Sequence, residues 1–307
     1  MTPSSQGPSR VTTRHASDVW TLTAQCPGRV GTVDVVTRFL REQGCYITEQ
    51  QSFDDQTSGQ FFIRTEFLAP PEADAGAERT LEAAEFEADF GERAREFAMS
   101  FELSPPGRLT PVVIMVSKAD HCLNDLLYRY RTGQLPIEIR AVVSNHPDLE
   151  PLAEWHGLAY HHLPITPDTK AQQEAQVWRI VEDSGAELVI LARYMQVLSS
   201  AMCERLSGRA INIHHSLLPG FKGAKPYHQA FDKGVKLVGA TAHYINDDLD
   251  EGPIITQGVE PVSHADSADD LVARGRDIEC LTLARAVSLH VQRRVFLNGS
   301  RTVVFQR

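Results

Sequence analysis

The residues best suited to chemistry are an asparagine and a histidine two positions apart, Asn212 and His214. They belong to the run 210–214, which alternates apolar and polar residues and is therefore predicted to form a strand. Because side chains two apart on a strand share a face, the amide and the imidazole should project together while Ile211 and Ile213 face the other side. An amide donor can polarise a carbonyl, and an imidazole can move a proton near neutral pH. Such a pair could also do no more than satisfy hydrogen bonds at a strand end, so the rest of the chain must decide.

The second part of the chain must supply the elements that hold this pair. After a linker predicted at 105–111, apolar strands alternate with helical stretches over 112–307, which predicts a Rossmann-like, mostly parallel open sheet covered on both faces. The expected strands are 112–116, 137–143, 188–191, 210–214, 237–245 and 302–305, with helices at 169–183 and 268–295. An open α/β sheet binds its ligand where the parallel strands end. The polar residues at such ends, which we expect to converge, are Ser117, Ser144, Arg193 and His214.

The first part of the chain has a different rhythm. Residues 18–104 are predicted to form a separate βαββαβ domain. Its strands are expected at 20–26, 46–53, 61–67 and 100–103, and its helices at 32–43 and 85–98. Residues 1–17 are rich in small polar residues and have no apolar segment, so we expect a disordered tail and not a signal peptide.

Composition argues against several classes of function. The net charge of −10 does not favour nucleic acid or an anionic membrane surface as a partner. No stretch approaches the ~20 apolar residues of a membrane span. The five cysteines are odd in number and scattered, which is typical of free thiols in a reducing compartment and predicts a cytoplasmic protein.

Neither a metal nor a dinucleotide is expected. The chain contains no Cys-x-x-Cys pair and no His-x-x-x-His pair to close a tetrahedral site. His214 and His215 are neighbours, so a continuous strand would point them to opposite faces. No Gly-x-Gly-x-x-Gly follows the first strand of the second domain.

Several longer runs carry a family resemblance. The run Asn212-Ile-His214, the stretch 221–228 and the turn Asp250-Glu-Gly-Pro253 resemble the folate-dependent formyltransferase fold shared with glycinamide ribonucleotide transformylase. The stretches 116–129, 143–149 and 191–198 narrow the resemblance to the formyltetrahydrofolate deformylase family, from about residue 18 to the C-terminus. Runs of this length are more specific than one short motif.

The resemblance implies hydrolysis of 10-formyltetrahydrofolate to tetrahydrofolate and formate, which would feed formate to purine synthesis and balance one-carbon folate pools. It implies that Asn212, His214 and Asp250 are the catalytic residues, with Asn212 donating to the oxyanion. An aspartate at its ordinary pKa of about 3.9 is a weak base, so we expect a proton relay shared by Asp250 and His214. No cofactor is implied, since the folate is the substrate.

A flat, apolar slot should bind the pterin and aminobenzoyl rings. By the same resemblance its two walls are residues 194–198 and the turn 246–250, and the candidates are Tyr194, Met195, Gln196, Val197, Leu198, Asp247, Asp248 and Leu249. Met195 and Leu198 could instead be ordinary core residues. The cations expected to attract the folate tail are Lys118, Arg193, Lys222 and Lys225.

The first domain resembles an ACT domain, which implies regulation by an amino acid or contacts within a homo-oligomer, a dimer or tetramer. The family's turn carries an aspartate where this chain has Gly28, which weakens the amino-acid interpretation. Effector binding and oligomer contacts both stay open.

Hydrolysis has two rivals. A formyltransferase with an amine acceptor would need an acceptor pocket, but the loop 118–124 has no glycine to let backbone amides approach a phosphate. Bulky side chains there could fill such a pocket and leave room for water. A non-enzymatic amino-acid sensor would need the first domain alone.

Overall fold

A computed structural model describes residues 18–70, 81–220 and 226–306. The predicted tail 1–17 and the cations Lys222 and Lys225 therefore lie outside the described residues. By its internal contacts the chain divides into two compact units, residues 1–108 and 109–307.

The first unit has the predicted order of elements. They are β1 (Val19–Pro27), α1 (Thr32–Glu42), β2 (Tyr46–Asp55), β3 (Gln60–Leu68), α2 (Ala83–Glu96) and β4 (Ser100–Ser104). The four strands form an antiparallel sheet in the order β2-β3-β1-β4. Its core is aromatic: the Phe39 ring lies 4.9 Å from Phe86 and 5.2 Å from Phe90 between their centroids, which joins the two helices.

The second unit is built around a seven-stranded sheet. Its elements are β5 (Thr110–Val116), α3 (His121–Arg131), β6 (Ile137–Ser144), α4 (Glu150–Trp155), β7 (Tyr160–His162), α5 (Lys170–Asp183), β8 (Leu188–Leu191), α6 (Ser200–Arg205), β9 (Ala210–His214), α7 (Pro226–Asp232), β10 (Leu237–Tyr244), β11 (Ile254–Pro261), α8 (Ala268–Val291), β12 (Val295–Asn298) and β13 (Arg301–Val304). The sheet order is β11-β10-β9-β8-β5-β6-β7. Strands β7, β6, β5, β8 and β9 are parallel, while β10 runs antiparallel to β9 and to β11. The mostly parallel sheet is thus confirmed.

Strand β5 shows why this sheet is covered on both faces. Val112, Ile114 and Val116 belong to one buried cluster, and Val113 and Met115 belong to another. Since neighbouring side chains of a strand point to opposite faces, an entirely apolar strand needs a core on each side.

Three predicted boundaries are wrong. Thr110 and Pro111 belong to β5 and not to the linker 105–111, because both residues pair with β6. The last helix ends at Val291 and not at 295, because Arg293 has φ 56° and the chain then turns into β12. The predicted strand at 302–305 exists as β13, but it pairs with β12 outside the large sheet.

The ends of the parallel strands lie where the sequence placed them. Ser144 and His214 are the last residues of β6 and β9, while Ser117 and Arg193 follow β5 and β8. After β7 the chain crosses to the other side of β5, so a crevice opens where β5 and β8 end. Within the described ranges, no helix is long and apolar enough to cross a membrane.

Candidate active site

Strand β9 presents its two polar side chains as predicted. Ile211 and Ile213 are buried in the core cluster, while Asn212 and His214 line a cavity of about 280 Å³. His243 stands opposite Asn212 on β10, and its Nδ1 donates to the backbone oxygen of Tyr244 at 2.8 Å. Its Nε2 is then the acceptor, so Asn212 Nδ2 donates to it at 3.2 Å. This bond fixes the orientation of the amide.

The turn after β10 delivers the carboxylate. Asp250 Oδ2 accepts from His214 Nδ1 at 3.1 Å, and its Oδ1 lies 3.9 Å from His243 Nε2. The turn is tight: a Cβ at Gly252 would lie 1.7 Å from the backbone oxygen of Tyr244, so a side chain there would displace the turn. Asp250 itself has φ 60°, in the left-handed region that non-glycine residues seldom adopt.

The charge state of Asp250 follows from two opposed effects. Burial would raise its pKa, but the hydrogen bond and charge of His214, with the charge of His243, hold the pKa below the ordinary value. A carboxylate with a lowered pKa is a poor base on its own. The geometry therefore favours a relay through His214 over Asp250 acting alone.

The two ring nitrogens of His214 have different surroundings. Its Nδ1 is engaged with Asp250, while Nε2 is buried and has no hydrogen-bond partner among the described residues. With the proton on Nδ1, Nε2 carries a lone pair and can accept a proton from a water. A buried unpartnered nitrogen is costly, which suits a position that meets a substrate or water.

The cavity gathers the remaining predicted residues. It is lined by all eight predicted binding residues together with Asn212, His214 and Asp250; the eight are Tyr194, Met195, Gln196, Val197, Leu198, Asp247, Asp248 and Leu249. Met195, Val197 and Leu249 are each more than half exposed, so Met195 is not an ordinary core residue. Leu198, in contrast, packs partly against the buried cluster beneath.

Hydrogen bonds to neighbouring elements of the second unit anchor the segment 194–198. Ser117 Oγ accepts from the Met195 amide at 3.0 Å and donates to Asn145 at 2.7 Å. Gln173 of α5 donates to the Tyr194 hydroxyl at 2.9 Å. The neighbouring Glu174 accepts from the amide of Ser199 at 2.8 Å and from its hydroxyl. The exposed apolar side chains thus stand on a fixed backbone.

Sequence reasoning missed the role of several neighbours. His243, Cys203 and His215 also line the cavity, and none is marked by a motif. His214 and His215 were expected on opposite faces, but their ring centroids lie 5.1 Å apart with the planes inclined by 29°. That expectation is wrong because β9 ends at His214, so strand alternation does not extend to His215.

A second group of polar side chains lies around Glu279 of α8. His121 Nε2 donates to Glu279 Oε2 at 2.8 Å, and the Tyr227 hydroxyl donates to Oε1 at 3.0 Å. Arg193 Nε lies 3.4 Å from Oε2. Burial opposes ionisation of Glu279, yet the His121 hydrogen bond and the Arg193 charge hold its pKa below the ordinary value.

The same group contains the donor atoms of a potential metal site. His121, Cys122 and Glu279 offer ligand atoms within 4.8 Å of one another. A hydrogen bond with Cys280 and burial raise the pKa of the Cys122 thiol, so it stays protonated, and the Arg193 guanidinium repels a cation. These residues fit a hydrogen-bonded network better than a metal.

Comparison with known proteins agrees with this geometry. The Formyl transferase family matches residues 110–287. A glycinamide ribonucleotide transformylase from Symbiobacterium toebii superposes with a TM-score of 0.61 at 30% identity, covering 67% of this chain and 98% of that chain. The fold and site therefore define a protein of the formyl transferase class.

Two further relatives extend over the first unit as well. A formyltetrahydrofolate deformylase from Corynebacterium sp. (strain P-1) is 51% identical over 93% of this chain and 97% of the relative. The crystal structure of a formyltetrahydrofolate deformylase from Pseudomonas putida KT2440 superposes with a TM-score of 0.88 at 64% identity, covering 94% of this chain and 100% of that chain. This chain belongs to the formyltetrahydrofolate deformylase family, and it is a hydrolytic enzyme.

Proposed function

We propose that the cavity hydrolyses 10-formyltetrahydrofolate to tetrahydrofolate and formate, with Asn212, His214 and Asp250 as the catalytic residues. The observation that carries this is the arrangement of His214, which is held by Asp250 through Nδ1 and leaves Nε2 unpartnered among the described residues. An imidazole fixed in this way can accept a proton from an attacking water.

The three residues divide the work by chemistry. Asn212 Nδ2 donates to the formyl oxygen as negative charge develops, and it brings no charge of its own into the site. His214 Nε2 takes the proton of the attacking water, and Asp250 stabilises the resulting imidazolium. The proton then passes to the leaving folate nitrogen as the C–N bond breaks, which releases formate.

The folate rings should lie against the apolar side chains at the cavity mouth. Met195, Val197 and Leu249 expose apolar surface that a flat ring system would cover. Tyr194 and Gln196 stand on the same anchored segment, and Asp247 and Asp248 belong to the other lining turn. Binding needs no metal in this scheme.

The test is to mix purified protein with 10-formyltetrahydrofolate and no acceptor. We expect formate and tetrahydrofolate to accumulate in equal amounts. A formyltransferase with an amine acceptor would leave the substrate intact, and a non-enzymatic sensor would do the same. His214→Asn keeps a polar side chain but removes the relay, and it should abolish release.

In the first unit, the position of a carboxylate close to Gly28 supports binding of an amino acid. A Cβ at Gly28 would lie 2.6 Å from Asp54 Oδ1, so an exposed carboxylate from β2 stands beside the turn that lacks an aspartate. We infer that Asp54 would hold the ammonium group of an effector. Thermal shift with the twenty amino acids, on the wild type and Asp54→Asn, tests this.

Oligomer contacts are the other proposed role of this unit. Val30 is 98% exposed in the turn after β1, and the β2 side chains Tyr46 and Phe53 are about half exposed. Apolar side chains so placed suit a contact between copies. Sedimentation of the wild type and Val30→Asp would show whether a dimer or tetramer depends on this turn. The cytoplasmic location stays a prediction.

A further inference from the structure

Arg193 is unusual among the residues that line the cavity. It stands two residues after β8 with φ 64°. Among the described residues, four that are not glycine have positive φ, and two of these, Arg193 and Asp250, line the same cavity. Strained backbone of this kind concentrates at functional sites. The catalytic role proposed for Asp250 gives one of them a purpose, and Arg193 needs another.

The guanidinium of Arg193 lies beside a carboxylate, but its hydrogen-bond donors are not all used. Its Nε lies 3.4 Å from Glu279 Oε2, and the side chain is 16% exposed. Both oxygens of Glu279 already accept shorter hydrogen bonds, from His121 and Tyr227. In the part of the chain that the structure describes, Nε and Nη1 of Arg193 have no hydrogen-bond partner. Glu279 therefore balances the charge of the guanidinium and leaves N–H donors for another acceptor.

His215 provides a second donor beside it. The ring lines the same cavity and stacks on His214. Burial, followed by the nearby Arg193 charge, lowers the pKa of His215 to about 4, so the imidazole is neutral at neutral pH. A neutral imidazole offers one N–H to an anion.

Resting on the proposed hydrolysis, we propose that Arg193, with His215 beside it, binds the formate that the reaction releases. A guanidinium matches a carboxylate because two N–H groups can meet its two oxygens. Formate and the glutamate end of a folate both carry carboxylates. Because the Arg193 side chain is only 16% exposed, the space at its guanidinium suits the smaller one. A ligand of three heavy atoms binds no tighter than about millimolar, which suits a product that must leave.

The experiment titrates ¹³C-labelled formate with protein at constant ionic strength and follows its transverse relaxation. Wild type should broaden the formate signal at millimolar formate. Arg193→Met should weaken binding by about tenfold or more, and Arg193→Lys should be intermediate, since an ammonium keeps the charge but not the paired donors. Arg140→Met removes a surface arginine that pairs with Glu138 at 2.8 Å, and it should bind formate as the wild type does.

Each variant is first checked by thermal melting. If Arg193→Met fails to fold because Glu279 loses its neighbour, Arg193→Lys decides. No broadening by the wild type, or equal broadening by the wild type and the Arg193 variants, overturns the site.

Two further arms separate this site from its neighbours. If Arg193 instead served the folate tail, Arg193→Lys would raise KM for the glutamate-bearing substrate alone and spare 10-formyltetrahydropteroate, with formate broadening unchanged; that result overturns the proposal. Formate binding is measured without turnover. A wild type that binds formate through Arg193 but releases none would therefore reject the hydrolysis and keep the anion site. Hydrolysis by the wild type, with equal formate broadening by the wild type and the Arg193 variants, would do the reverse.

Discussion

Two strand ends of one sheet form the cavity, and they are built differently. At the end of β9, His214 is 4% exposed, and its imidazole bonds Asp250 at 3.1 Å. In the segment after β8, Met195 and Val197 are 56% and 55% exposed, and the chain is anchored by hydrogen bonds at the Tyr194 hydroxyl, the Met195 amide and Ser199. The groups proposed to move protons are held by side-chain hydrogen bonds, whereas the apolar groups proposed to meet a ring are left uncovered on an anchored backbone.

We call the end of β9 the first wall and the segment after β8 the second wall. The difference between them follows from what each one is proposed to do. Catalysis by a hydrogen-bond donor or a proton acceptor depends on placement within fractions of an ångström. Binding a flat ring depends on apolar area that becomes covered only when the ligand arrives. Substitutions at the first wall should therefore change kcat, and substitutions at the second should change KM.

The largest effect is expected for Asp250→Asn. The amide nearly preserves the shape, but it cannot balance the charge of a protonated His214. Losses of about 10⁴ in kcat are typical when the carboxylate of such a pair becomes an amide. Formate release should stay low across about pH 6 to 9, because the amide takes up no proton anywhere in that range. Asp125→Asn is the matched control, since Asp125 also accepts a hydrogen bond from a basic side chain, Arg129, at 2.8 Å.

The same variant makes a pH-dependent prediction on stability. The pKa of Asp250 is held below its ordinary value, so the folded state favours the ionised carboxylate. That stabilisation is present above the unfolded pKa of about 3.9 and is lost as the pH falls through the folded value. The Tm of Asp250→Asn should fall slightly below wild type at pH 7, and the gap should narrow as the pH falls below about 3.9. Turnover near the wild-type rate would remove Asp250 from the mechanism.

Asn212→Ala comes next. In the proposed mechanism the amide donor serves the oxyanion more than the bound substrate, so kcat should fall by about 10² to 10³ with KM nearly unchanged. Asn124→Ala is the control, because the Asn124 side chain bonds Asp120 on the exposed face of α3. A rise in KM with kcat preserved would contradict the oxyanion role.

The sequence predicted the first wall better than its surroundings. Alternation alone placed Asn212 and His214 on one face, because a strand's periodicity is a local property. The partners of that wall are distant in sequence: His243 stands opposite Asn212 through strand pairing, and Glu279 meets Arg193 from another helix. Strand register and helix packing depend on residues that are far apart in the sequence, so a single sequence does not reveal them. The prediction for the face of His215 failed for a related reason, because the residues of β9 do not show at which position the strand ends.

A smaller effect is expected at the second wall. Val197→Ala removes apolar area that the ligand would cover, at about 25 cal/mol per Å², so KM should rise severalfold while kcat and Tm hold. Val259→Ala is closely matched, because Val259 is 53% exposed on β11 and does not line the cavity. Equal KM for both variants would mean that the folate rings lie elsewhere.

No gain of transfer is expected from single changes in the loop after β5. Lys118→Gly or His121→Gly introduces one glycine, but a phosphate site needs several converging donors. Lys118 is exposed and does not line the cavity, and His121 is engaged with Glu279 at 2.8 Å. Removing the His121 side chain leaves Tyr227 and Arg193 around that carboxylate and adds no set of converging donors for a phosphate. Each variant should be incubated with 10-formyltetrahydrofolate and glycinamide ribonucleotide, with formylated nucleotide and formate measured together. Efficient transfer by either single variant would show that an acceptor pocket already exists beside Asn212 and His214. The side chains around Glu279 would then not be what restricts the reaction to water.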